Sequence, residues 1–274
     1  MIDPALPVAM FDSGVGGLTV LHECLVALPQ EDYVYLGDTA MFPYGSREPA
    51  ALRERIAAIT ESLLRRGVKL VVIACNTATA IGEDVVRAVA AEHGVEVVPV
   101  VAPQAEIAAA ITDNGRVGVL ATTNTVESGA YRRALEAQGR ALDVIEVAAP
   151  RLAPFIQEGS LFDEETMEMA RGYCAPLREA GVDTLILGCT HYPLVAPMLQ
   201  RILGRNVRLV SGGHAVAAAV QRTLDRAGLS REGEDEGTYE FFCTGPVSSF
   251  GDVATRFLQM PLGEVQQVEF SVPA

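Results

Sequence analysis

The sequence predicts an α/β fold of two similar lobes, each a mostly parallel sheet flanked by helices, with the lobes related by a pseudo-twofold axis across a cleft. Three observations predict it. Short apolar runs alternate with amphipathic stretches along all 274 residues, the pattern of repeated β-α-β units. Hydrophobic residues make up 49% of the chain but aromatics only 6%, with no Trp. The core is therefore built from Val, Ala, Leu and Ile, as buried parallel strands favour. Finally, one pair of polar strand ends occurs twice, once in each half of the chain.

Taken in order, strands are expected over Pro7–Phe11, Tyr33–Leu36, Leu70–Ala74 and Val95–Val101, then over Val117–Leu120, Val144–Val147, Thr184–Leu187 and Val207–Val210, and last over Tyr239–Phe242. Helices fill the intervals. Leu52, Ile56, Ile59 and Leu63 recur at helical spacing while Arg55, Glu61, Arg65 and Arg66 face water, and Gly67 gives the stop signal. The strand over Val8–Phe11 leads into Asp12-Ser13-Gly14, and Val71–Ala74 leads into Cys75-Asn76-Thr77. In the second half Thr122–Thr125 and Cys189-Thr190-His191 repeat this arrangement at a similar separation. Two lobes facing across a cleft set Cys75 opposite Cys189. Residues 1–101 with 211–274 are assigned to the first lobe, to which the C-terminal stretch returns, and 102–210 to the second. Arg231–Gly237 reads as a solvated loop and Gln266–Ala274 as a peripheral tail.

Several function classes are disfavoured. A formal net charge of −14 repels phosphate backbones, and no Lys/Arg cluster offsets it locally, so no nucleic-acid partner is expected. The start, Met1-Ile2-Asp3-Pro4, has no basic n-region, and no window of about 18 uninterrupted apolar residues follows. No signal peptide and no membrane span are expected. The five cysteines are odd in number, widely spaced and without C-x-x-C, which argues against a disulfide framework and a zinc site and for a reducing, cytoplasmic setting. Lys69 is the only lysine, and it begins the strand that ends at Cys75, the wrong end for a Schiff base with pyridoxal phosphate. Asp12–Gly17 fails the dinucleotide fingerprint because Thr19 stands where its third Gly belongs. Its glycines instead let backbone N–H groups approach a carboxylate. Neither metal nor cofactor is expected.

Among the cysteines, Cys24 and Cys174 fall within helices and read as inert apolar residues, and Cys243 is intermediate. Cys75 and Cys189 differ. Each closes an apolar strand, where exposed N–H groups and a helix N-terminus stabilise a thiolate. His191, two residues past Cys189, is placed to poise that thiol. The turn-rich stretch Asp38–Arg47 offers several exposed-type donors.

Phe11–Val20, Gly37–Gly45, Ala74–Ala78 and Gly188–Pro193 together resemble the glutamate racemases of the aspartate/glutamate racemase superfamily, in order and over nearly the whole chain. The resemblance implies a cofactor-independent homodimeric enzyme of peptidoglycan precursor synthesis that interconverts L- and D-glutamate. It implies Cys75 as base towards D-glutamate and Cys189 as base towards L-glutamate, with Asp12 and His191 as their helpers. Ser13, Pro43, Tyr44, Gly45, Asn76, Thr77, Thr122, Thr125 and Thr190 match positions used around the substrate, as do Asp12 and His191. Two departures stand out. Ala149-Pro150 and Pro154–Gln157 replace a more usual Cys-Pro and Pro-Leu-Val-Glu, and Ser211–His214 replaces a more acidic start. Other readings stay open: another carbon acid such as aspartate, a decarboxylase or isomerase on the same scaffold, or an amino-acid-binding protein without turnover. A cysteine hydrolase is disfavoured because Cys75 has no His in its own motif.

Overall fold

The computed structural model describes residues 2–233 and 235–270. Its first half runs β1 (Val8–Asp12), α1 (Leu18–Ala27), β2 (Tyr33–Gly37), α2 (Pro49–Leu64), β3 (Leu70–Ile73), α3 (Asn76–Glu92) and β4 (Glu96–Pro99). There follow α4 (Val101–Ile111), β5 (Arg116–Ala121), α5 (Thr123–Glu127), α6 (Ala130–Glu136), β6 (Asp143–Ala148), α7 (Leu152–Glu158), α8 (Glu164–Glu179), β7 (Thr184–Gly188), α9 (Ala196–Leu203) and β8 (Arg208–Val210). The chain closes with α10 (Gly212–Ala227), β9 (Tyr239–Cys243), α11 (Val247–Leu258) and β10 (Val265–Gln267). None of the described helices is long and apolar enough to cross a membrane.

Two parallel sheets carry the fold. The first has the order β10-β9-β2-β1-β3-β4 and the second β6-β5-β7-β8. Four strands of the first, β2-β1-β3-β4, are therefore repeated in the second with the same connectivity, so β1 corresponds to β5 and β3 to β7. The central strands β1, β3 and β7 are buried throughout, because helices cover both faces and every side chain meets apolar surface. The edges are more polar. β4 begins with exposed Glu96 and β8 with exposed Arg208, which protects open strand edges from pairing with other chains. α10 leaves the second sheet and packs on α1 and α4, tying the two layers together.

Several expectations need correction. Val95–Val101 is not one strand: β4 stops at Pro99 and Val101 opens α4. Pro103 lies in that helix's first turn, where a missing N–H is harmless. The peripheral tail is partly wrong, since β10 pairs in parallel with β9 and extends the first sheet; residues 271–274 lie outside the described part. The loop over 231–237 is mostly exposed, though Glu234 is likewise outside. Arg231 nevertheless anchors it, by a backbone bond to Glu31 and an ion pair of 2.8 Å to Asp32. Arg55 does not face water. It is 4% exposed and pairs with fully buried Asp38 at 2.6 Å, so Asp38 is not an exposed turn residue either. Lys69, at the start of β3, is buried against Glu31 at 2.5 Å.

Candidate active site

Parallel strands present all their carboxyl ends on one side, and there the chain turns into helix or loop with unpaired N–H groups. β1 ends at Asp12 and β3 leads through Ala74 to Cys75, while β5 leads to Thr122 and β7 to Cys189. The carboxyl ends of the two sheets face each other across one cavity of about 20 Å³, room for about one water. Cys75, Asn76 and Thr77 line it from the first sheet, and Thr122, Cys189, Thr190 and His191 from the second. Ser13 and the segment Pro43-Tyr44-Gly45 complete the wall. Asp12 and Thr125, also expected at the site, are fully buried behind it. Larger grooves elsewhere, such as one of about 400 Å³ between α8 and α9, contain neither of these thiols.

Glycine makes the close approach possible. A Cβ on Gly16 would collide with the Thr190 and His191 side chains, and one on Gly45 would lie 2.6 Å from Thr122 Cβ. Asn124 then stitches the loop to the opposite layer, donating from Nδ2 to the carbonyls of Tyr44 at 2.9 Å and Arg47 at 2.8 Å. Behind that loop, the Tyr44 hydroxyl donates to Asp38 at 2.5 Å, and Arg55 and Thr244 hold the same carboxylate.

The two thiols have different neighbours. Cys75 caps α3, its Sγ accepting from the Ala78 N–H at 3.4 Å. Burial and the adjacent Asp12 charge outweigh that bond and push the thiol well above its ordinary pKa. Burial also raises the Asp12 carboxyl, although its Oδ2 accepts from the Gly17 N–H at 2.7 Å. Two buried acids side by side thus resist ionising together. Cys189 is pushed up to about 12 by burial. Its Sγ lies 3.8 Å from His191 Nδ1, and His191 Nε2 lies 2.9 Å from Gln157 Oε1. Burial depresses His191 to about 3, so the imidazole is neutral. With Nε2–H donating to the amide oxygen, the bare Nδ1 is the nitrogen that faces the sulfur.

A third polar group joins the layers. The hydroxyls of Thr77, Thr122 and Thr125 lie 2.9–3.3 Å from one another, offering rotatable donors to a carboxylate. Among the described residues no cluster of three His, Cys, Asp or Glu side chains converges as metal ligands do. Sequence reasoning missed Phe42 and Ala153 in the wall, and Gln104, Asn124 and Tyr131 behind it. Gln157 was visible only as a departure from the resembling family.

Residues 14–220 match the model of the Asp/Glu/Hydantoin racemase family, a span that includes both cavity thiols. The chain belongs to that family. The glutamate racemase of Geobacter metallireducens is 41% identical over 265 residues, 97% of each chain. The Francisella tularensis glutamate racemase, solved in complex with D-glutamate, superposes with a TM-score of 0.91 at 28% identity, covering 97% of this chain and 98% of that one. A Bacillus anthracis glutamate racemase has a TM-score of 0.91 at 32% identity, over 96% and 97% of the two chains. Like these racemases, the protein is an isomerase built on two parallel sheets.

Proposed function

We propose that this racemase interconverts L- and D-glutamate without a cofactor, by proton transfer between Cys75 and Cys189, and that it supplies D-glutamate for peptidoglycan synthesis as a cytoplasmic homodimer. Its lobes are 1–101 with 211–274, and 102–210. The observation that carries the reading is that the two cysteines follow corresponding strands, β3 and β7, of a repeated sheet and line one cavity. Such a pair can reach a single carbon from two sides.

In the proposed reaction one thiolate takes the α-proton and the opposite thiol delivers its own proton to the other face of the carbanion. The carbon is inverted and the charge moves from one sulfur to the other. Asp12, beside Cys75, and His191, whose neutral Nδ1 faces the Cys189 sulfur, orient and poise the two groups as their helpers. Burial raises the basicity of both sulfurs, which narrows their mismatch with a weak carbon acid. The hydroxyl cluster and the Tyr44-Gly45 segment receive the side-chain carboxylate, and the backbone N–H groups at Asn76 and Thr190 receive the α-carboxylate, whose charge grows in the transition state. Lys69 takes no part, being bound to Glu31 at the other end of β3. Because the cavity is smaller than any amino acid, the layers part to admit substrate and close again to exclude water.

Incubating the purified protein with L-glutamate and no added cofactor, while measuring D-glutamate, tests this. The expected result is a mixture approaching equal amounts of the two enantiomers, with aspartate turned over far more slowly. Absence of D-glutamate, or turnover confined to aspartate, would overturn the reading.

A further inference from the structure

Asn76 is fixed by residues that do not reach the cavity. Its Nδ2 lies 2.9 Å from Gln104 Oε1 and 2.6 Å from the Tyr131 hydroxyl. Both partners are fully buried. The Tyr131 hydroxyl in turn donates to the same Gln104 oxygen at 2.5 Å. Gln104 Nε2 donates to two backbone carbonyls, Leu187 at 3.2 Å and Val210 at 3.3 Å. Carbonyl oxygens only accept, so they settle which end of the Gln104 amide faces them. Its oxygen must then face Asn76 and Tyr131, and an oxygen needs donors. Asn76 therefore turns its NH2 group inward and keeps its carbonyl oxygen for the cavity that it lines.

We infer that Gln104, seconded by Tyr131, is a positioning residue that fixes the Asn76 amide so that an acceptor, Oδ1, meets the ammonium group of the substrate. The inference rests on the amino-acid substrate of the proposed function and adds what selects it. An amide free to turn over would present N–H donors to a cation in half its states. With Gln104 in place, the reversed amide sets its oxygen against another oxygen, and burial makes that arrangement costly. The polarity thus runs from the backbone of β7 and β8, through a helix between the sheets, to one side chain of the site. Gln104 is well placed for this, since α4 packs against β7 and β8.

Calorimetric binding separates this role from a structural one. D-glutamate and glutarate, which keeps both carboxylates and lacks the ammonium, are titrated into the wild type, Tyr131→Phe and Gln104→Met. The wild type should favour D-glutamate. Gln104→Met should weaken D-glutamate about tenfold, the worth of one hydrogen bond to a charged group, and leave glutarate within about twofold. Tyr131→Phe, which removes one oxygen and preserves packing, should fall between. A parallel loss of both ligands, or no change in their ratio in either variant, would overturn the inference. Binding requires no turnover, so failure of the racemase reading would show separately, as wild-type protein that binds D-glutamate without inverting it.

Discussion

His191 sits between the Phe42 and Phe257 rings, at centroid distances of 5.4 and 5.1 Å, with a neutral amide rather than a carboxylate on Nε2. Desolvation therefore acts on the imidazole without a compensating charge, and its pKa falls to about 3. An unfolded histidine titrates near 6.5, so the stability due to keeping His191 neutral is complete above about pH 6.5 and is lost as pH falls towards its folded value. Gln157→Glu places a carboxylate on Nε2 and should raise the His191 pKa. In an NMR titration the wild-type His191 ring should stay neutral from pH 8 down to 5, and the variant's should protonate within a higher range. An unchanged titration would show that Gln157 does not set the charge of this ring. At this scale the strand-end placement of Asp12, Cys75, Cys189 and His191 was legible, because small or polar neighbours follow an apolar run at each. Gln104 was not. One amide in the mostly apolar helix Val101–Ile111, whose other polar residue is Glu106, gives no sign of the partners that the fold brings to it from residues 76, 131, 187 and 210.

Elements were legible where one force dominated. Runs of Val, Leu and Ile gave the central strands because burial on both faces demands them, whereas β10 is short, edge-bound and carries one apolar residue, Val265. α2 shows how charge misleads. Leu52, Ile56, Ile59 and Leu63 are fully buried, and Arg55 lies three residues from Leu52 and four from Ile59, on the same face. Helical spacing alone would have turned it inward; the charge argued for water. What reverses that argument is Asp38, at the end of β2, which meets the guanidinium through two bonds of 2.9 and 2.6 Å. Thr244 and Tyr44 bind the same carboxylate, so the pair supports the cavity segment Pro43–Gly45. Asp38→Asn leaves Arg55 buried with no counter-charge. It should cost about 3–5 kcal/mol of stability in chemical denaturation, with a raised KM as the loop loosens. A loss below about 1 kcal/mol, the range of a surface pair, would contradict this assignment.

At the scale of the whole molecule, the repeat written in the sequence is a repeat of topology, with β2-β1-β3-β4 recurring as β6-β5-β7-β8. Matching strand ends could be read from residue types, because the same local need recurs at each. How tightly the two layers meet could not. That depends on Gly16 and Gly45 against side chains far away in the chain, and on α10 returning to α1, contacts that leave no local pattern. In the proposed reaction each layer contributes one base, and the substrate carbon lies between them. Racemisation in deuterated water, sampled early from either enantiomer, tests it most directly. Two opposed thiols predict that the product carries deuterium at Cα while the remaining substrate stays unlabelled, because the acid that completes the reaction is never the base that began it. Equal labelling of both enantiomers at early times would mean that one group serves both faces, and would contradict the account.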